Sequence, residues 1–223
     1  VASNIAVTVT RDKFAEMLAT QIKPPEYDEN FSLEANQLAF AAKLANSIIH
    51  EAATSDKKNK GMGTTLSAVY FGKKNKLSIA HIGDSRVYLA RGSVLKQLTT
   101  DHSLVMEHVR KGVMTKEQAD RSPLQNILTK ALGTQKNPSI DIYELLLEAN
   151  DRIILCTDGL FKAISEEDMM RVIMENLDDK TSCQKLVETA NINGGPDNIT
   201  VILGSVTKKS LKETFKSMFN LEK

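Results

Sequence analysis

No run of apolar residues in this 223-residue chain approaches the ~18 to 20 positions that a bilayer-spanning helix needs, and no secretory h-region is visible. The sequence therefore predicts no transmembrane segment. Cysteine is almost absent: Cys156 and Cys183 stand far apart and make no disulfide framework, which points to a reducing compartment, the cytoplasm. An excess of one charge is missing too. With 29 Lys and Arg against 28 Asp and Glu, the net charge is +1, which argues against a bulk nucleic-acid binder. Internal repeats and low-complexity linkers are also lacking. What remains is ordinary for a folded domain: 41% hydrophobic and 26% charged residues, at a length that buries a sizeable core. The first residue is Val1 rather than Met, so the start of this sequence is expected not to be the start of the gene product.

The periodicity predicts helices first. Ile5, Val9 and Phe14 fall at helical spacing over Val1 to about Leu18, although Val7, Thr8, Val9 and Thr10 are poor helix formers. Pro24-Pro25 breaks the chain, and a second helix is predicted from Ser32 to about Ala53. The pattern then turns to short β runs at Thr64–Phe71, Leu77–Ile82, Val87–Ala90 and Val94–Leu98. Turn signals separate them, which reads as an antiparallel meander. Asp101 to Ala119 returns to helix with a break at Gly112. Strands are predicted at Ile140–Leu146 and Arg152–Cys156, helices at Glu166–Asn176 and Ser182–Asn191, and a last strand at Thr200–Val206. Residues 207–223 read as a basic amphipathic helix with Leu211, Phe215, Met218 and Phe219 on one face. The order suggests an α+β domain with helices packed on largely antiparallel sheet.

Three turns carry an aspartate where a strand begins or ends: Gly83-Asp84-Ser85-Arg86, Thr157-Asp158-Gly159-Leu160 and Gly195-Pro196-Asp197-Asn198-Ile199-Thr200. The neighbouring glycines allow sharp turns. Carboxylates without a Cys or His cluster suit hard cations such as Mg²⁺ or Mn²⁺, which prefer oxygen ligands. Against this stands the plainer reading, that an Asp in a turn caps its own backbone.

The motifs in their order decide between the two. Gly61-Met62-Gly63-Thr64-Thr65, Gly83-Asp84-Ser85-Arg86, Leu98-Thr99-Thr100-Asp101-His102-Ser103, Leu128-Thr129-Lys130-Ala131-Leu132-Gly133, Asp158-Gly159-Leu160 and Gly195-Pro196-Asp197-Asn198-Ile199-Thr200 together resemble the metal-dependent Ser/Thr protein phosphatase (PPM) family, bacterial type. The resemblance spans roughly Gly61 to Val206. It implies a four-layer α-β-β-α sandwich of antiparallel sheets flanked by helices, and one such domain over residues 1–206. It also implies hydrolysis of phosphoserine and phosphothreonine by a water held between two of two or three Mn²⁺ or Mg²⁺ ions, without a phosphoenzyme. By the same resemblance Asp158 and Asp197 are ligands of the second metal, and Asp84 with Asp158 holds a third, weaker one. Thr65 lies near the metal-bound waters, and Gly159 and Asn198 shape the site's turns. Phosphorylated proteins are the implied partners, with a Ser/Thr protein kinase as the opposing enzyme.

Two motifs of the family have no counterpart here: an Arg followed by Asn-Glu-Asp, and Asp-Gly-Met-Gly-Gly-His. The bridging Asp and the phosphate-binding Arg are therefore not present in this chain, whose start resembles the helix that follows the second motif. That leaves a second hypothesis, a pseudophosphatase or binding module, and a third, a sporulation-type regulator phosphatase of the same superfamily. The four histidines, His50, His81, His102 and His108, have no partners at metal-ligand spacing and are assigned helix-face or loop roles. The stretch from Asp101 to about Ser122 corresponds to the family's flap. Cys156 is expected to be buried, Cys183 to be structurally indifferent although it sits near a helix start where a thiol pKa can fall, and Met169, Met170 and Met174 to fill core.

Overall fold

The computed structural model describes residues 1–55, 57–176 and 178–207. In chain order its helices are α1 (Ala2–Thr20), α2 (Leu33–Ser55), α3 (Leu104–Arg110), α4 (Lys116–Asp120), α5 (Asp158–Phe161), α6 (Glu166–Glu175) and α7 (Asp179–Ile192). Its strands are β1 (Leu66–Phe71), β2 (Lys76–Ile82), β3 (Arg86–Arg91), β4 (Val94–Gln97), β5 (Asp141–Leu146), β6 (Arg152–Cys156) and β7 (Val201–Ser205). Among the described residues no helix is long and apolar enough to cross a membrane. The amphipathic helix expected at the C-terminus falls on residues 208–223, outside the described residues. The α+β class is observed, with two antiparallel sheets and helices.

The chain divides into two compact units. The first comprises residues 1–70, 78–84 and 101–144. Its α1 forms in spite of the β-branched run from Val7 to Thr10. Ala2, Ala6, Thr10, Phe14 and Met17 recur every three or four positions and are buried, so packing on α2 overrides weak propensity. The alanines of α2 permit this close approach: Ala41, Ala42 and Ala45 are inaccessible to solvent. Helix α1 ends at Gln21, in the left-handed conformation at φ 54°. There the buried Gln37 side chain donates to the carbonyls of Met17 and Ile22 at 2.9 and 2.8 Å. Strands pair in the order β1-β2-β5. Ala80 and Ile82 join the core of Phe14, Leu38, Ile49, Leu132 and Ile140, and Phe14 meets Tyr70 edge-on at 5.0 Å between ring centres.

The helix expected over 101–119 is shorter and divided. Ser103 and Thr115 each act as an N-cap, accepting from the amides of Met106 and Gln118. The break expected at Gly112 is found, at φ 69°, between two separately capped helices. Residues 101–103 stay outside the helix.

The second unit comprises residues 71–77, 85–100 and those from 145 onward. Its sheet runs β4-β3-β6-β7, antiparallel throughout, with Arg86 opposite Cys156 and Cys156 opposite Val201. Helices α6 and α7 bury Met169, Met170, Ile173, Leu186 and Ala190 with Tyr88, Ile154 and Cys156. Met174 departs from expectation: it is 56% exposed, because it lies off the buried face of α6. Arg152 ties the two helices together, donating to the carbonyls of Ile173 and Asn176 at the end of α6 and to Asp179 and Ser182 in α7. Arg91 grips the buried Asp151 through two nitrogens at 2.9 and 2.7 Å.

The expected four-strand meander is a correction. Strands β3 and β4 pair as anticipated, but β2 belongs to the three-stranded sheet and β3 to the four-stranded one. The chain leaves one sheet for the other at Gly83-Asp84-Ser85, where Gly83 takes φ 113°. Alternating hydrophobicity marks a strand without naming its partner, so this switch is invisible in the pattern.

Candidate active site

Strand β6 delivers Asp158 to the edge of the four-stranded sheet. Thr157 adopts extended backbone as N-cap, and Asp158 opens the short α5, a helix that the sequence reading did not include. Its carboxylate accepts from Lys162, one turn on, at 2.5 Å. Both side chains are about three-quarters buried. Thr157 fastens this turn to the one that leads into β7: its hydroxyl donates to the Asn198 carbonyl at 3.1 Å and accepts from the Thr200 amide at 3.0 Å. Its own amide donates to the Thr200 carbonyl.

Gly159 explains how closely the two turns meet. A methyl group placed there would lie 2.5 Å from the Asn198 carbonyl oxygen and 3.0 Å from that of Asp197. No other residue fits without moving backbone. Four expected site residues, Asp158, Gly159, Asp197 and Asn198, are thus brought together at one end of β6 and β7. Asp197 is exposed and accepts from the next amide, Asn198, at 2.7 Å. That bond is the backbone cap of the plainer reading, and it leaves the other carboxylate oxygen out of that bond.

In the first unit, Asp84 and Thr65 form the corresponding group. A methyl on Gly83 would lie 2.3 Å from Thr65 Cγ2 and 2.5 Å from its Cβ. Thr65 therefore packs directly on the turn that bears Asp84. Among the described residues no three His, Cys, Asp or Glu side chains form a cluster able to hold a metal ion. The donors in the second unit are nonetheless the right kind for a hard dication: two carboxylates on turns locked together, one already facing a cation in Lys162.

Buried polar groups in the first unit escaped the sequence reading. His81 and His102, assigned to helix faces or loops, are both inaccessible, and their rings stack at 5.1 Å and 23°. His81 lies on β2 and bonds Ser67 at 2.9 Å. His102 accepts from the Gly83 amide through Nδ1 at 3.0 Å, while Nε2 meets Asp141 at 3.1 Å. Burial by itself raises the pKa of Asp141, but the hydrogen bond to His102 and the nearby charges outweigh it and leave the carboxyl below its ordinary value. The available signal was His81 itself, a polar residue inside the apolar run Leu77–Ile82 that needs a partner when buried. For Cys183 the alternative of a lowered thiol pKa is not supported. Helix α7 begins at Asp179, so the thiol lies in the second turn, and burial followed by the Asp179 charge raises its pKa.

Comparison with known proteins gives this arrangement its class. Residues 1–190 match the family model described as Protein phosphatase 2C. The chain belongs to the protein phosphatase 2C family of serine/threonine phosphatases, in its bacterial form. It is 36% identical over 203 residues to the serine/threonine phosphatase stp of Listeria monocytogenes, a match spanning 91% of this chain and 77% of that one. The crystal structure of the Mycobacterium tuberculosis serine/threonine phosphatase PstP/Ppp is similar with a TM-score of 0.78 at 30% identity, covering 92% of this chain and 83% of that chain. The catalytic domain of PstP in complex with 2 manganese ions is similar with a TM-score of 0.69 at 31% identity, covering 89% and 81%. These relatives are named phosphatases, and they lend no support to the pseudophosphatase alternative.

Proposed function

We propose that this chain hydrolyses phosphoserine and phosphothreonine in protein substrates at a centre for two or three Mn²⁺ or Mg²⁺ ions. Asp158 and Asp197 would hold one ion, Asp84 would be a ligand of a weaker one, and Thr65, Gly159 and Asn198 would line the site. When bound, the cations supply Lewis acidity, making water a nucleophile at neutral pH and offsetting the charge of the phosphate dianion. The chain's own residues orient the donors. The Thr157 hydroxyl staples the Asp197 turn to the Asp158 turn, Gly159 leaves room for that closure, and Lys162 fixes one oxygen of Asp158.

The observation that carries the reading is the joining of Asp158 and Asp197 at one sheet end, two hard carboxylate donors from positions far apart in sequence. The PstP structure with manganese supports the choice of ion. A Ser/Thr protein kinase is then the opposing enzyme, and the cytoplasm the compartment. The test is phosphate release from an aryl phosphate and from a phosphothreonine peptide with and without MnCl₂. Hydrolysis should require the metal and fall at least about 10²-fold in Asp158→Asn. Activity that survives Asp158→Asn at saturating Mn²⁺ sinks the assignment of that ligand.

A further inference from the structure

The turn that carries Asp84 is held at its glycine by groups from elsewhere in the first unit. Gly83, the residue before it, sits at φ 113°, where its own backbone offers little restraint because glycine lacks Cβ. Thr65 packs against one side of Gly83. A polar restraint comes from His102, which grips Gly83 twice: the His102 amide donates to the Gly83 carbonyl at 2.8 Å, and the Gly83 amide donates to His102 Nδ1 at 3.0 Å.

The second bond specifies the state of the imidazole. An Nδ1 that accepts from an amide carries no proton, so the ring proton is on Nε2 and is donated to Asp141 Oδ2. The ring cannot easily rotate away, since it is inaccessible to solvent and stacked on His81, which Ser67 holds in turn. Asp141 is fixed as well. It stands at the start of β5, accepts from the Tyr143 hydroxyl at 3.3 Å, and faces Lys130 at 3.9 Å. All of these groups lie within the first unit.

We infer that His102 and Asp141 are positioning residues for Asp84: carboxylate, imidazole and Gly83 amide form one hydrogen-bonded chain that sets how Asp84 is presented to a divalent cation. The inference rests on the proposed reading of Asp84 as a metal ligand. The logic is that of an outer partner that orients a ligand without touching the ion, where loss of the partner typically costs 10- to 100-fold in metal affinity.

The test uses the whole chain and the variants Asp141→Ala, Asp141→Asn and Asp84→Asn. Asp141 is only half-buried, so these substitutions spare the core. Calorimetric titration with MnCl₂ gives the affinity of each site, and long-range ¹H–¹⁵N spectra give the His102 tautomer and the Gly83 amide. The parent chain should show a neutral His102 protonated on Nε2. Asp141→Ala should weaken the weakest Mn²⁺ site 10- to 100-fold, leave tighter binding within twofold, and speed exchange of the Gly83 amide. Asp141→Asn keeps an acceptor oxygen and should recover most of that loss. Equal affinity in Asp141→Ala, or a parallel loss at every site together with a lower Tm, overturns the inference and leaves His102 a packing residue. If Asp84→Asn leaves all Mn²⁺ binding intact, the ligand reading has failed instead. The positioning claim is then decided by the Gly83 amide, whose unchanged exchange in Asp141→Ala overturns it whatever Asp84 binds.

Discussion

Replacing Gly159 with alanine separates two physical effects of opposite sign. Gly159 lies in α5, where helix propensity alone favours alanine by about 0.8 to 1 kcal/mol. The added methyl, however, would stand 2.5 Å from the Asn198 carbonyl oxygen, when ordinary contact begins at 3.4 Å. The Asp197-Asn198 backbone must retreat by about 0.9 Å, and overpacking of this kind costs roughly 1 to 3 kcal/mol. That retreat also stretches the bonds from Thr157 to Asn198 and Thr200, each worth about 1 kcal/mol. The net loss should be about 2 kcal/mol, a Tm lowered by roughly 4 to 8 °C. A displacement near 1 Å at Asp197, a ligand in the proposed reading, should also reduce Mn²⁺-dependent hydrolysis by on the order of 10². Urea unfolding and phosphate release on the same preparation measure both. Gly92→Ala is the control: its φ of 60° strains an alanine, but nothing lies within 4 Å. It should cost about 1 kcal/mol and leave hydrolysis alone. If Gly159→Ala is as stable as the parent or more so, propensity has won and the close approach of the two turns is wrong.

Arg91→Ala should leave Asp151, whose side chain is 1% exposed, without its main partner. Because Arg91 is itself partly solvated, the cost should fall near the low end for a broken buried pair, about 2 to 3 kcal/mol by urea unfolding. A loss below about 0.5 kcal/mol would show Asp151 to be satisfied by the Glu148 amide alone. Asp178 caps α7, and the amide and then the hydroxyl of Thr181 hold its carboxyl below the ordinary value of 3.8. A depressed folded-state pKa contributes stability above the unfolded value that is lost as pH falls through the folded one. Asp178→Asn should therefore flatten the stability curve below about pH 4, and an unchanged acid slope would refute it. Cys183, with its pKa raised by burial and by Asp179, should react slowly with a disulfide reagent at pH 7 and speed up only above pH 9.0; fast reaction at neutral pH would mean that the thiol is more open.

Where local pattern and tertiary packing agree, the chain could be read directly. Strand β6 lies where the sequence predicts it, α1, α2, α6 and β7 start and stop within about two residues of expectation, and Cys156 is buried as a thiol in an apolar strand should be. Failures fall where a long-range partner decides. The sheet switch at Gly83 depends on which strand each run pairs with. The early start of α7 has a local cause instead, the N-cap bond from the Thr181 amide to Asp178. The motifs of Asp158, Gly159, Asp197 and Asn198 are contiguous and stand out in the sequence, and the structure joins the two turns that carry them. His102 and His81 are assigned helix-face or loop roles from sequence, since their partners Asp141 and Ser67 are 39 and 14 residues away. Lys162 could have been found: it stands one helical turn beyond Asp158, the spacing at which opposite charges meet.

Both acidic turns depend on glycine, but in opposite senses. Gly83 precedes its aspartate and Gly159 follows it, and each admits a neighbour closer than any side chain would allow, Thr65 in one case and Asn198 in the other. With glycine in front at positive φ, the Asp84 turn is gripped at Gly83 by His102, 19 residues on. With glycine behind, Asp158 is already fixed as the first residue of a helix, behind the extended Thr157, and Lys162 of the same segment completes its setting. The two turns are thus secured over different sequence distances, Gly83 by His102 and Asp158 by Lys162 one helical turn away. It follows that substitution of His102 or Asp141 should disturb the Gly83 turn, whereas the vulnerable neighbour of Asp158 is the single missing methyl of Gly159.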